Sequence, residues 1–207
     1  MNHALDLSLY YITAPAPAEK TLAIALAAAR GGATVVQLRN KVLGDTDFVS
    51  LGRQLKQALD PLGVPLIVND RIDLIAAIGA AGGHIGQGDI PLEIARDILG
   101  PDAILGLSTS NSAQVKSIDW QFVDYIGAGP FRATKSKSDH AVPIGAIGLG
   151  NICTCSNVPV VAIGGIVEAD VPTLRAAGAS GMAVISAIAD NPDPKTAASA
   201  LAKAWRA

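Results

Sequence analysis

Eight short, continuously apolar runs alternate along this chain with Ala-rich segments of helical periodicity, and this alternation limits the possible folds more than any other feature. Because the runs are apolar at successive positions, they are typical of parallel strands that helices cover on both faces. The runs occupy residues 9–13, 34–39, 65–70, 83–87, 103–108, 124–130, 158–164 and 181–187. Helices are predicted over residues 18–30, 45–59, 71–80, 91–99, 112–117, 145–153, 169–177 and 195–205.

This pattern predicts the α/β class, and eight strands with eight helices suffice to close a single-domain TIM (β/α)8 barrel over residues 1–207. The alternative is an open doubly wound sheet, which usually has fewer strands and a glycine-rich turn after the first. Residues 13–17 contain no glycine, so the sequence favours the barrel. A chain of 207 residues also suits one barrel domain, since such domains reach roughly 200 to 250 residues.

Charge and hydropathy exclude several classes of partner. A net charge of -2 gives no bulk attraction to nucleic acid or to an anionic membrane surface, so neither is expected as a partner. No basic cluster precedes an apolar core near the N-terminus, and no long uncharged apolar stretch predicts a membrane span, so we expect a cytoplasmic protein. Cys153 and Cys155 have neither zinc nor disulfide-framework spacing and are interpreted as reduced thiols. The oligomeric state stays open, with a homo-oligomer as one alternative.

The second apolar run ends in alternating polar side chains, Gln37, Arg39 and Lys41. Side chains two residues apart on a strand point to the same face, so these three can project together. Because TIM-barrel active sites lie at the carboxyl ends of the strands, the sequence predicts an anion clamp there.

A carboxylate ends the third run, Asp70, and another follows the fourth run by two residues, Asp89. A hard cation such as Mg²⁺ takes oxygen ligands and usually keeps waters and substrate phosphates in its remaining positions, so two carboxylates can hold it. The alternative interpretation is that each acid is an N-cap of the following helix. Two acids on adjacent strands, beside Arg39 and Lys41, favour a magnesium–diphosphate site.

A long polar connection over residues 129–140 follows the sixth run, and long loops of this kind carry lids and ligand contacts. It is predicted to be a phosphate-gathering lid, with a solvated basic loop as the alternative. Its cations and hydroxyls include Arg132, Thr134, Lys135, Ser136 and Lys137.

Paired glycines, Gly164 and Gly165, follow the seventh run, and Ser186 closes the eighth. Barrels commonly build a phosphate site from these two loops, where glycine lets backbone N–H groups approach the phosphate oxygens. The alternative is that the glycines only permit a tight turn between strand and helix.

Other catalytic arrangements lack support in this sequence. There is neither a G-x-S-x-G nucleophile elbow nor a Walker motif. The three histidines have neither zinc nor triad spacing, and His84, at the start of a buried run, is interpreted as a hydrogen-bonded core residue.

Taken in order, these motifs resemble the thiamine-phosphate synthase family over essentially the full chain. The matching blocks are residues 36–41, 67–73, 83–89, 106–109, 124–137, 162–166 and 183–188. The resemblance implies a TIM barrel that joins hydroxymethylpyrimidine diphosphate to thiazole phosphate, with Mg²⁺ as cofactor, releasing diphosphate and leaving thiamine phosphate. It implies a dissociative substitution, in which the pyrimidine methylene loses diphosphate before the thiazole nitrogen attacks.

The resemblance also implies residue roles. Asp70 and Asp89 would bind Mg²⁺, while Arg39, Lys41 and Lys137 would be catalytic in stabilising the leaving diphosphate. The pyrimidine diphosphate would be held by Gln37, Arg39, Asn40, Lys41, Asn69, Ser108 and Lys137. The thiazole phosphate would be held by Thr134, Ser136, Gly165, Ile185 and Ser186, with Lys135 also in the substrate-binding set.

Three positions depart from the family pattern: Ser136 stands for a threonine, Gly88 for an acidic or polar residue, and Asn40 for an acidic residue. Two other functions stay as alternatives. One is a thiazole tautomerase-like paralogue on the same barrel, which would leave the diphosphate-binding residues idle. The other is a non-catalytic sensor of a phosphate ligand.

Overall fold

The eight predicted strands form a closed parallel barrel in the computed structural model, which describes residues 5–134 and 142–207. Each strand pairs with the next in sequence, and β1 pairs with β8 to close the barrel. The strands are β1 (Leu9–Ile12), β2 (Val35–Leu38), β3 (Leu66–Asn69), β4 (Gly82–Ile85), β5 (Ile104–Thr109), β6 (Tyr125–Ala128), β7 (Val160–Ile163) and β8 (Gly181–Val184). The prediction of a TIM barrel is confirmed.

Helices follow the strands along the chain. They are α1 (Ala18–Arg30), α2 (Asp45–Leu59), α3 (Ile75–Ile78), α4 (Leu92–Leu99), α5 (Ser112–Lys116), α6 (Gly145–Cys155), α7 (Val171–Ala176), α8 (Ser186–Ala189) and α9 (Pro194–Arg206). Short 3-10 turns lie at Asp60–Leu62, Ile72–Leu74 and Glu168–Asp170. No helix in these described stretches is long and apolar enough to cross a membrane.

Several predicted boundaries are wrong by a few residues: the predicted helix over 71–80, for example, is a 3-10 turn at Ile72–Leu74 followed by α3 at Ile75–Ile78, and the end of the eighth strand differs most in consequence. The eighth strand was expected to reach residue 187, but β8 ends at Val184 and α8 begins at Ser186. The sequence remains apolar across this boundary, and a short apolar run does not distinguish a buried strand from a buried helix. The correction places Ser186 at the start of a helix rather than inside a strand.

Alternating side chains divide the apolar residues between two layers. Tyr10 points into the barrel interior with Val35, Ile67 and Tyr125. Tyr11, the next residue of β1, packs in the layer between the strands and the helices. The two layers fix the direction of every strand side chain, because a shift of one residue would exchange the faces.

Some neighbouring segments approach so closely that only glycine fits. A Cβ on Gly82 would lie 1.9 Å from the carbonyl oxygen of Ile104 on the adjacent β5. A Cβ on Gly181 would lie 1.7 Å from the carbonyl oxygen of Leu7, just before β1. Both contacts involve backbone atoms, so a larger residue would have to move a strand.

We expect Gly82→Ala to lower the free energy of unfolding by about 2 to 4 kcal/mol, because overpacking against backbone cannot be relieved by a rotamer change. Denaturant unfolding would measure the loss. Gly88→Ala is the matched control, since a Cβ at Gly88 meets nothing within 4 Å. Equal stability of the two variants would contradict the prediction.

Candidate active site

A cavity of about 420 Å³ opens at the carboxyl ends of the strands, as expected for this fold. Its walls come from loops that follow different strands, so residues far apart in sequence meet there. The predicted site residues that line it are Arg39, Lys41, Asn69, Asp70, Asp89, Ser108, Thr134, Gly165, Ile185 and Ser186. The structure thus brings most of the predicted set into one space.

Five predicted site residues are not among the described residues that line this cavity. Gln37 is 1% exposed and lines a smaller cavity deeper in the barrel, where its Nε2 donates to the Tyr10 hydroxyl at 2.8 Å. The Oδ1 of Asn40 accepts the N–H groups of Val42 and Leu43, both at 3.0 Å, so this side chain organises its own loop. The other three, Lys135, Ser136 and Lys137, lie outside the described residues.

The backbone of Arg39 is fixed by Thr13, at the end of the neighbouring strand. The Arg39 N–H donates to the Thr13 hydroxyl at 2.9 Å, and that hydroxyl donates to the Arg39 carbonyl oxygen at 3.1 Å. Because both backbone groups of Arg39 are held, the root of its side chain has a set position beside the cavity.

The two predicted metal ligands face the same cavity and interact electrostatically. Burial raises the pKa of the Asp70 carboxyl, the charge of Asp89 raises that pKa further, and Lys41 opposes both effects. Lys41 Nζ lies 3.3 Å from Asp70 Oδ2. Asp89 Oδ2 accepts the N–H of Gly86 at 2.7 Å, which orients that carboxylate.

The interpretation of these acids as helix N-caps is wrong. The cap positions of the following elements are Arg71 and Pro91, and neither makes a side-chain capping bond. Two mutually repelling carboxylates beside one cation instead fit a hard divalent ion, which would relieve their repulsion. No group of three or more His, Cys, Asp or Glu side chains suited to a metal occurs within residues 5–134 and 142–207. A hard cation held by two carboxylates would keep waters and substrate oxygens as its other ligands.

The glycine pair after β7 serves both the turn and the cavity. Gly164 and Gly165 have φ values of +102° and +64°, which side-chain-bearing residues rarely adopt. A Cβ on Gly164 would lie 2.6 Å from the Cβ of Pro130, at the root of the long loop. Both glycines also line the cavity, so the tight-turn and phosphate-site interpretations are compatible here.

Arg132 does not line the cavity, although it was counted with the basic groups of the loop. Its guanidinium forms an ion pair with Asp170, a buried carboxylate that also accepts the Val167 N–H at 2.9 Å. Its backbone N–H donates to the Gly164 carbonyl oxygen at 2.9 Å. Arg132 therefore attaches the loop root to the segment after β7.

Sequence analysis missed a hydrogen-bonded connection between two interior tyrosines and two residues that line the cavity, His84 and Ser108. The hydroxyls of Tyr10 and Tyr125 are 2.7 Å apart, and the Tyr125 hydroxyl is 2.9 Å from His84 Nδ1. His84 Nε2 is 2.9 Å from Ser108 Oγ. The expectation that His84 is a hydrogen-bonded core residue is confirmed, but neither tyrosine had been singled out.

Comparisons with known proteins agree on one family. A family model described as thiamine monophosphate synthase matches residues 9–188. A thiamine-phosphate synthase of Xanthobacter autotrophicus is 45% identical over 203 residues, covering 97% of this chain and 96% of the relative. One from Desulfitobacterium hafniense is 42% identical over 206 residues, covering 98% and 99%. The solved structure of a thiamine phosphate pyrophosphorylase from Pyrococcus furiosus has a TM-score of 0.87 and 31% identity, covering 98% of this chain and 97% of that chain.

Replacing Asp70 by Asn should raise the free energy of unfolding by up to about 1 kcal/mol in metal-free buffer at neutral pH, because it removes a partly buried charge that Asp89 repels. Asn also tolerates the φ of +63° at this position. As the pH falls below the raised pKa of Asp70, the gain should vanish, since the wild-type carboxyl is then neutral too. Thermal unfolding against pH measures this, with the exposed Asp97→Asn as control. A destabilised Asp70→Asn at neutral pH would contradict it.

Proposed function

The chain belongs to the thiamine monophosphate synthase family, and from this premise we propose how its cavity carries out the condensation for which the family is named. The protein is a transferase of thiamine biosynthesis that joins 4-amino-2-methyl-5-(diphosphooxymethyl)pyrimidine to thiazole phosphate, giving thiamine phosphate and diphosphate. The substrates are therefore small molecules that carry phosphate groups. The assignment of residues to steps is our proposal.

The observation that carries the proposal is that two opposite walls of one cavity carry groups suited to bind anions. Arg39, Lys41 and the Asp70–Asp89 pair follow strands β2 to β4. The glycine pair and Ser186 follow β7 and β8, which lie across the closed barrel. We assign the diphosphate to the first wall and the thiazole phosphate to the second, where α8 begins at Ser186. The first N–H groups of a helix have no acceptor within that helix and suit phosphate oxygens.

Asp70 and Asp89 would hold Mg²⁺, which supplies positive charge to the diphosphate when bound. Arg39 and Lys41 add cationic donors on the same wall. Lys41 is also paired with Asp70, so it links the carboxylate pair to the substrate anion. Lys137, outside the described residues, is assigned to the same anion because the family resemblance places it there.

The proposed reaction does not require the protein to form a covalent bond with either substrate. The pyrimidine methylene loses diphosphate and becomes a resonance-stabilised cation, and the thiazole nitrogen attacks that carbon with its lone pair. No general base is required, because the attacking nitrogen carries no proton. The side chains act by stabilising the departing anion and by holding the nucleophile in line.

The proposal also covers the domain organisation, the location and the partners of the enzyme. We propose that residues 1–207 act as one catalytic domain in the cytoplasm, without a nucleic-acid or membrane partner. A homo-oligomer stays compatible with it. The tautomerase-like and sensor functions are less well supported, because neither needs cations and paired acids on one wall together with a phosphate site opposite.

We expect the protein to form thiamine phosphate from both substrates with Mg²⁺ and to lose this activity in excess chelator. Asp89→Asn should lower kcat at least about 100-fold by weakening metal binding, because a carboxamide is a poor ligand for a hard cation. Its oxygen can still accept the Gly86 N–H, so the variant should fold and lose no thermal stability. The exposed Asp102→Asn is the control. Equal turnover with and without Mg²⁺ would refute the metal assignment.

Lys137→Ala should reduce thiamine phosphate formation at least about 100-fold, because one cation stabilising the departing diphosphate is lost. Lys116→Ala, on helix α5, is the control for general loss of a lysine. If the protein were a tautomerase-like paralogue or a sensor, the unmodified protein would form no thiamine phosphate. Normal turnover by Lys137→Ala in an active enzyme would remove that residue from the mechanism.

A further inference from the structure

A continuous chain of hydrogen bonds runs from the barrel interior to the cavity. Gln37 Nε2 donates to the Tyr10 hydroxyl at 2.8 Å, and that hydroxyl lies 2.7 Å from the Tyr125 hydroxyl. The Tyr125 hydroxyl lies 2.9 Å from His84 Nδ1, and His84 Nε2 lies 2.9 Å from Ser108 Oγ. Ser108 lines the cavity, so the chain ends where the substrate would bind.

The packing around this chain is built to keep it intact. Tyr10 and Tyr125 are each 1% exposed, and the Tyr125 ring contacts those of Tyr10 and His84 at centroid distances of 5.8 Å and 5.5 Å. Gly106 leaves the space for the bond between Tyr125 and His84. A Cβ there would lie 2.2 Å from Tyr125 Cζ and 2.5 Å from His84 Nδ1.

The number of protons on these side chains sets the direction in which each hydrogen bond of this series is donated. Burial raises the pKa of both tyrosines, so each phenol keeps its single proton at neutral pH. Since Gln37 donates to Tyr10, the Tyr10 proton is available to Tyr125, and the Tyr125 proton is available to His84 Nδ1. A neutral imidazole that accepts at Nδ1 carries its proton on Nε2.

The direction of the chain decides what Ser108 presents to the cavity. If His84 Nε2–H donates to Ser108 Oγ, the serine proton is not used in that bond and can point toward a ligand. If the chain ran the other way, Ser108 would donate to His84 and turn only lone pairs to the cavity. An anion is attracted by the first arrangement and repelled by the second.

We propose that Gln37, Tyr10, Tyr125 and His84 form a positioning chain that holds His84 as the Nε2–H tautomer and thereby aims the Ser108 hydroxyl proton at the substrate diphosphate. The identity of that anion rests on the proposed function. Ser108 contacts the substrate, and the tyrosines, which do not line the main cavity, act through His84 and Ser108, which do. The positive charges beside the substrate anion are those of Arg39 and Lys41. The positioning chain contributes a neutral hydrogen-bond donor whose direction is fixed.

The tautomer can be read without substrate. In protein labelled with 15N-histidine, ring-nitrogen chemical shifts distinguish protonated from unprotonated nitrogens, and His84→Asn identifies the His84 signals. The unmodified protein should show Nε2–H at His84, and Tyr125→Phe should give a mixture of tautomers. The matched control is Tyr11→Phe, because Tyr11 is a buried tyrosine of the same strand as Tyr10 whose side chain lies in the outer layer. It should leave the tautomer unchanged.

A double-mutant cycle tests whether the tyrosine acts through Ser108. Tyr125→Phe should lower kcat/KM about tenfold in the unmodified enzyme and have almost no further effect in Ser108→Ala, because the hydroxyl it orients is gone. Ser108→Thr, which keeps a hydroxyl, should restore the sensitivity to Tyr125→Phe. If Tyr125→Phe lowered kcat/KM equally in the presence and absence of the Ser108 hydroxyl, Tyr125 would have only a structural role, and the proposal would be overturned.

The two proposals fail differently. A wild type that forms no thiamine phosphate refutes the proposed function. An active wild type with the Nδ1–H tautomer at His84 refutes the positioning chain and leaves the function standing.

Discussion

Closure of the parallel barrel is the constraint on which the site depends. Because all eight strands run the same way and β1 bonds to β8, every carboxyl end meets at one mouth. Asp70 after β3 and Gly165 after β7 therefore share a cavity although the sequence places them far apart. The close glycine contacts between strands matter for the same reason: they set the spacing of the barrel, and so the spacing of everything at its mouth.

The sequence predicted the barrel because continuous apolar runs and helical periodicity are properties of the chain itself. It could not say which way each run faces. Tyr10 and Tyr11 are the same residue type at successive positions of β1. The Tyr10 side chain nevertheless lies in the hydrogen-bonded interior, and the Tyr11 side chain lies in the outer apolar layer. The side of the sheet on which each β1 side chain lies follows from the pairing of β1 with β2 and β8, and this pairing is a property of the closed sheet. The start of α8 at Ser186 was missed for a different reason, because the run stays apolar across the boundary and does not distinguish strand from helix.

The site residues show a second limit. Charge type and position at strand ends indicated the clamp and the carboxylate pair. Arg39, Lys41 and both carboxylates do line one cavity, whereas Gln37 of the clamp lies in the smaller cavity below it. The sequence did not show which polar groups are used locally. Asn40 is occupied by its own loop, and Arg132 is occupied by Asp170. Whether a polar side chain is free for a ligand depends on its neighbours in space, which no spacing rule supplies.

The distribution of charge within the barrel fits the reaction proposed for it. Arg39, Lys41 and the carboxylate pair lie at the mouth, where a departing diphosphate and a divalent ion would balance one another. Deeper in, Gln37, Tyr10 and Tyr125 are polar but uncharged, and Arg39 lines both the cavity at the mouth and this smaller one. A dissociative step creates an anion and a carbon cation together, and a formal positive charge in the interior would raise the energy of that cation. The ionic groups at the mouth would therefore stabilise the departing diphosphate, while the uncharged hydrogen-bonded groups of the interior add no positive charge of their own beside the carbon cation.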